Sequence, residues 1–207
     1  MNFKAILTAL VIAGSIISCK KDDPIVPNES ELIENVTLTL TPKDGGDAVV
    51  FHWHDENGDG VIDESEKTEG SLESGKTYNA VISLNGEEDD HHDEEEEEHE
   101  EEGEEHDHEH GDDIDAEIKE EGKNHQFFYI HSISGLTITY ADEDENGNPI
   151  GLETTFKTSD SYQEGGAINI VLRHEPNKFA QGVASGDITN AGGENDVDIT
   201  FKLGINK

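Results

Sequence analysis

Ala167-Ile168-Asn169-Ile170-Val171-Leu172 sets apolar side chains at Ile168, Ile170 and Leu172, every second position of the run. Period two is the repeat of an extended strand, whose side chains alternate between faces; a helix would space them three or four apart. The alternation recurs on either side. Towards the C-terminus, Val197, Ile199, Phe201 and Leu203 repeat it. Towards the N-terminus it returns at Leu152, Thr154 and Phe156, at Leu136, Ile138 and Tyr140, and at Phe128 and Ile130. Ile114, Ala116 and Ile118 alternate with acids, and Tyr78, Ala80, Ile82 and Leu84 follow the same rule. Val49, Phe51 and Trp53 interleave with Val50, His52 and His54, and Val36, Leu38 and Leu40 interleave with threonines. Gly, Asn and Asp turns separate these runs. About nine short strands without an amphipathic helix predict an all-β fold: an antiparallel β-sandwich, Ig-like or transthyretin-like. No helices alternate with the strands, which argues against a parallel α/β fold.

The strands occupy residues 33–204, enough chain for a single β-sandwich domain with its own core. Residues 87–113 stand apart, holding 19 acids, 6 histidines and 2 glycines without a basic residue. Like charges at this density repel and leave nothing apolar to bury, so the insertion is expected to be a disordered acidic loop. The whole chain carries a formal charge of −37. Such a charge disfavours nucleic acid and anionic lipid surfaces as partners and favours cations.

The first 18 residues read as a lipoprotein signal peptide. Lys4 gives a positive start, and Ala5 to Ile17 is apolar apart from Thr8, Gly14 and Ser15. That run is too short to span a bilayer as a helix, which takes about 20 residues, but it suits a signal core. Ile16-Ile17-Ser18-Cys19 then forms a lipobox, with Cys19 as the lipidated residue. Cys19 is the one cysteine of the chain, so no internal disulfide can form. The alternative is an ordinary cleaved signal with an incidental cysteine. Acyl chains contribute roughly 0.8 kcal/mol per buried CH₂, so two or more anchor stably. Residues 19–32, with Pro24 and Pro27, make an extended tether. Lys20-Lys21-Asp22-Asp23 resembles the export signal that sends lipoproteins of Bacteroidota to the cell surface. The expected location is therefore the outer membrane, surface-exposed, with its periplasmic face as the alternative.

Metal-ligand chemistry is concentrated in the insertion: His91 and His92, His99, then His106, His108 and His110. Neutral imidazoles bind Zn²⁺, Cu²⁺ or Ni²⁺, and neighbouring carboxylates complete the shell. A flexible segment loses entropy when it gathers such ligands, so several weak or moderate sites are expected. The competing reading is a solvated acidic loop with incidental histidines.

Calcium has its own pattern. Asp55, Asn57, Asp59, Gly60, Val61, Asp63 and Glu66 fill the twelve-residue loop D-x-[DN]-x-[DN]-G-x₅-E. Asp55, Asn57 and Asp59 would offer side-chain oxygens, Val61 its carbonyl, Asp63 a water-mediated contact and Glu66 a bidentate carboxylate. A strand precedes the loop and no exiting helix follows, so a strand-flanked Ca²⁺ loop is expected in place of an EF-hand. An acidic glycine-rich turn is the alternative. Asp142, Asp144, Asn146, Gly147 and Glu153 meet the same bare pattern, but Asn146-Gly147 is also a strong hairpin turn, the favoured reading. His52 and His54 share a strand face, more simply an exposed face than a chelate. His125, His131 and His174 are dispersed and read as packed or surface residues. Catalytic signatures are missing, so the chain is not read as an enzyme.

His125-Gln126-Phe127-Phe128-Tyr129, Arg173-His174-Glu175-Pro176-Asn177-Lys178 and Gly192-Gly193-Glu194-Asn195-Asp196-Val197 resemble an uncharacterised family of Bacteroidota lipoproteins. So do Glu31-Leu32-Ile33, Gly75-Lys76-Thr77-Tyr78 and Asn146-Gly147-Asn148-Pro149-Ile150-Gly151-Leu152. Members are sometimes labelled type 1 periplasmic binding fold proteins, which implies a two-lobed α/β fold; the strand pattern here stands against it. The resemblance brings no catalytic residues, and the histidine–acid insertion is an elaboration of one loop. Together these features predict a membrane-anchored lipoprotein that binds or buffers divalent metal ions, accessory to a TonB-dependent receptor. The alternatives are a structural or adhesive surface module, or a nutrient-binding accessory.

Overall fold

A computed structural model of the chain describes residues 33–55, 68–85, 114–160 and 165–207. Cys19, the tether, the six insertion histidines and the stretch from Asn57 to Glu66 lie outside the described residues. Nine strands form two packed sheets, as the period-two reading predicts. They are β1 (Asn35–Pro42), β2 (Val49–His54), β3 (Gly70–Glu73), β4 (Thr77–Asn85), β5 (His125–His131), β6 (Leu136–Tyr140), β7 (Glu153–Thr158), β8 (Ala167–His174) and β9 (Glu194–Asn206). The first sheet runs β2-β1-β4-β7-β6 and the second β3-β9-β8-β5. Pairing is antiparallel throughout the first sheet, whereas β3 joins β9 in parallel, so the second sheet is mixed.

The alternating residues meet between the sheets. Leu38, Phe51, Ile82 and Phe156 from one side join Phe127, Ile170, Ile199 and Phe201 from the other in one buried cluster. Phe51 and Phe201 span the gap with ring centroids 5.7 Å apart. Full burial of such a side chain contributes about 1.5–3 kcal/mol before ordering entropy is subtracted. A smaller cluster of Phe128, Val171, Val183 and Ala191 lies on the other face of the second sheet, under the connection between β8 and β9. Gln126 ties that connection down by donating to the Val183 carbonyl at 2.9 Å.

The structure departs from the sequence reading at four places. Ile114–Glu120 forms a helix, α1, not a strand. Ile114 and Ile118 satisfy a strand's period of two and a helix's four-residue spacing alike, and Ala116 decides between them. As a strand residue Ala116 would point inward with them; it is exposed, while the two isoleucines are buried. β3 went unread because four residues with one buried side chain, Leu72, leave no periodic signal. The domain does not end at residue 204: β9 continues to Asn206, and Ile205 is fully buried. Within β5 the face also differs, since Phe127 and Tyr129 enter the main core while Ile130 is exposed.

Candidate metal centre

The last pair of the β5–β8 ladder is His125 opposite His174. Directly opposed residues of an antiparallel pair carry their side chains on one face, with Cβ atoms roughly 4.5–5.5 Å apart. The imidazoles accordingly sit edge to face with centroids 4.8 Å apart. His174 lies on the side of β8 that carries Ile168, Ile170 and Leu172, so both rings close the core-facing side of the second sheet at its end.

Asp196 reaches them through an irregularity. Leu172 pairs with Val197, yet Arg173 pairs with Asn195, so Asp196 is passed over in the register. It is the extra residue of a β-bulge. Strict alternation from inward-facing Val197 would send Asp196 to the opposite face; a bulge re-aims a side chain in this way. Asp196 Oδ2 lies 3.7 Å from His174 Nδ1 and 4.0 Å from His125 Nε2. One ligand atom from each of the three residues falls within 4.8 Å of the others, so the group could hold a metal ion.

The surrounding backbone is built to keep this arrangement. Glu175, next to His174, has φ 51°, a left-handed conformation that non-glycine residues seldom adopt. Such strain costs on the order of 1–3 kcal/mol and persists where neighbours over-determine it. Here the Glu175 amide donates to the Asn124 carbonyl at 2.6 Å. Gly193 abuts the same turn: a Cβ there would stand 2.1 Å from the His174 carbonyl oxygen, so no side chain fits without backbone movement.

His125 is 7% exposed, and its Nδ1 lies 3.3 Å from the Glu121 carbonyl oxygen at the end of α1. A carbonyl only accepts, so Nδ1 carries the proton in this contact. In the neutral ring Nε2 then holds a bare lone pair, facing the Asp196 carboxylate. Burial, with the neighbouring His174 adding to it, pulls the His125 pKa below the usual imidazole value. Burial also pushes the Asp196 carboxyl up, against the opposing pull of both histidines. Electron-rich atoms thus converge where neither full protonation nor full charge is comfortable. Zinc ligands sit about 2.0–2.2 Å from the ion, hence roughly 3.3–3.6 Å from one another in a tetrahedron. Small rotations would bring the trio to that size.

The trio opens into a cleft of about 140 Å³ between the second sheet and α1. Ile33, Ile114, Ile118 and Leu172 form its apolar walls, and Glu117 and Glu121 line the helix side. Ile33 and Ile114 are the residues at which the chain enters the described fold from the tether and from the insertion. Asn35 pairs with both His54 and Asn85, so the strand ends bordering the 55–66 loop and the insertion lie side by side at this pole.

The other sequence-derived sites fare differently. Asp55 is buried, with its amide donating to the Glu34 carbonyl at 2.9 Å. In the second calcium-type loop the carboxylates are already engaged by the protein itself. Asp144 Oδ1 accepts from the amides of Asn146 and Asn148, at 2.8 and 3.0 Å, and its Oδ2 lies 3.2 Å from the Lys178 ammonium. Lys178 also donates to the carbonyls of Pro149, at 2.8 Å, and Gly122. Asp142 is likewise engaged by the amides of Gly151 and Glu153. A buried ammonium thus stands where an ion would, and the hairpin reading holds. His52 and His54 stack at 6.3 Å on the solvent side of β2, and His52 Nδ1 meets Thr37 Oγ1 at 3.0 Å. His131 Nδ1 accepts from the Ile133 amide at 3.3 Å.

Reading His125 and His174 as separate packed residues missed the trio. A signal was present: three of the six stretches on which the sequence reading rested its resemblance contribute His125, His174 and Asp196, one each. Among the described residues no helix is long and apolar enough to cross a membrane. Comparison with protein-family models, curated proteins and solved structures returns no match.

Proposed function

We propose that this chain is a lipid-anchored, metal-binding lipoprotein whose structured site is His125, His174 and Asp196, with Zn²⁺ as its ion. The observation carrying this reading is the bulge that turns Asp196 onto a cross-strand histidine pair. Two imidazoles and a carboxylate are a borderline donor set that suits zinc and disfavours calcium or magnesium. Copper follows zinc's ligands with higher affinity, so availability decides occupancy. The histidines of residues 87–113 serve, on this reading, as weak collecting ligands that raise the local ion concentration. Cys19 holds the domain to the outer membrane, where a TonB-dependent receptor is the natural recipient.

Isothermal titration of the full chain with Zn²⁺ tests this, beside His174→Ala and Asp196→Ala. Each substitution should remove the tightest class of sites and leave the weaker heats of the insertion. Identical isotherms from all three proteins would sink the proposal.

A further inference from the structure

We propose that α1 supplies a fourth ligand, the carboxylate of Glu121 or Glu117, so that metal binding fastens this helix to the end of the second sheet. The inference rests on reading His125, His174 and Asp196 as a metal centre. Three protein ligands leave a tetrahedral ion one position short. The cleft into which the trio faces has α1 as its opposite wall, and its remaining walls are aliphatic and cannot coordinate. Glu117 and Glu121 are the other residues lining it whose side chains carry donor atoms of the right kind.

Their placement follows from the helix. Ile114 and Ile118 are buried on one side of α1 and fix its rotation. Asp115 Oδ1 accepts from the Leu84 amide at 2.8 Å and fixes its start. The Glu121 amide bonds the Glu117 carbonyl at 2.8 Å, so the helical turn continues to residue 121 and stacks the two side chains on one face. The Glu121 carbonyl in turn accepts from His125 Nδ1, which ties its backbone to a ligand of the trio. A helix of seven residues has little stability of its own. A bond from its side chain to the metal would therefore register directly in its order. The helix begins where residues 87–113 end, so occupancy of the centre is passed to the base of the acidic insertion.

Co²⁺ titration of the full chain, followed by visible d–d absorption, provides the test. The difference between wild type and His174→Ala isolates this centre from all other histidines. Glu117→Gln, Glu121→Gln and the double substitution are exposed changes whose folding is checked by circular dichroism. One single variant and the double should bind Co²⁺ more weakly by at least the 10–100-fold that losing an outer-shell partner typically costs, about ten-fold as the minimum. Zn²⁺ should slow amide exchange across Ile114–Glu120 in wild type and not in the double variant. A centre-specific band whose intensity, affinity and exchange effect are the same in the double variant overturns the inference and leaves the metal centre standing, with water as fourth ligand. A band identical in wild type and His174→Ala removes the metal centre itself, and this inference with it.

Discussion

Asp196 is the residue at which folding and binding pull apart. Its folded carboxyl holds a proton to higher pH than an unfolded one, because burial disfavours the charge. Between the ordinary value near 3.8 and its raised value, stability falls as pH rises, and above that window the full cost remains. His125 adds the opposite limb: with its folded value below 6.5, stability falls as pH drops from 6.5 through that value. Asp196→Asn should therefore raise the melting temperature of metal-free chain at neutral pH, by about 2–4 °C for each kcal/mol recovered. It should also abolish the further rise expected of the wild type with Zn²⁺ if the trio binds it. Scanning calorimetry with and without Zn²⁺ reads both effects; a fall in the metal-free value would contradict the electrostatic account.

Lys178 poses a related question at the same scale. Burial lowers its pKa, against the raising influence of Asp144. Burial is also the largest influence on Asp144 and raises it, but the amides of Asn148 and Asn146 and the ammonium together outweigh this and hold it below the usual carboxylate value. Asp144 thus contributes stability that is present above about 3.8 and lost as pH falls through its depressed value. Removing one partner of a buried pair costs roughly 3–5 kcal/mol, because the other charge is left unpaired. Asp144→Asn and Lys178→Met should each approach that loss, and the double variant should lose well under their sum. Urea denaturation of the four proteins measures the coupling, and additive losses would show that the two groups do not act as a pair.

Among the elements, every strand but the short β3 was legible and the irregular pieces were not. Ile168, Ile170 and Leu172 announce β8 because burial on one face imposes period two. The bulge at Asp196 leaves no such mark, since one inserted residue in a ladder is invisible without its partner strand. α1 was misread because isoleucines four apart also lie two alternations apart. His125, His174 and Asp196 come from three different strands, so local spacing carried no trace of their meeting. Lys178, outside the calcium-type loop that it fills, was invisible for the same reason. The turn that sets His174 against β9 depends on Gly193 lacking a Cβ. Gly193→Ala should cost roughly 1–3 kcal/mol through backbone strain and weaken metal binding more than it weakens the distant hairpin at Asn146-Gly147. Heteronuclear NMR of His174 and Gly147 compares the two regions; equal perturbation at both would mean general loosening in place of a local effect.

At the level of the whole molecule, charge and topology act together. A formal charge of −37 repels itself in the compact state. Screening at physiological salt shortens that repulsion to about 8 Å. The melting temperature should climb as NaCl rises from about 10 to 150 mM, with most of the gain lost in a chain lacking residues 87–113. A flat salt dependence in the full chain would show that the insertion's charge does not load the domain. Residues 1–32, 56–67 and 86–113 all join the described fold at the pole where His125, His174 and Asp196 meet.

The order of the second sheet also governs when the domain can form. β9, the strand nearest the C-terminus, lies inside that sheet, bonded to β3 on one side and β8 on the other. Until the ribosome has made the chain through Asn206, β3 has no neighbour and the core has no Phe201 or Ile205. A nascent chain paused short of that point can close the first sheet but not the second. Completion of the second sheet is thereby tied to the last residues of β9.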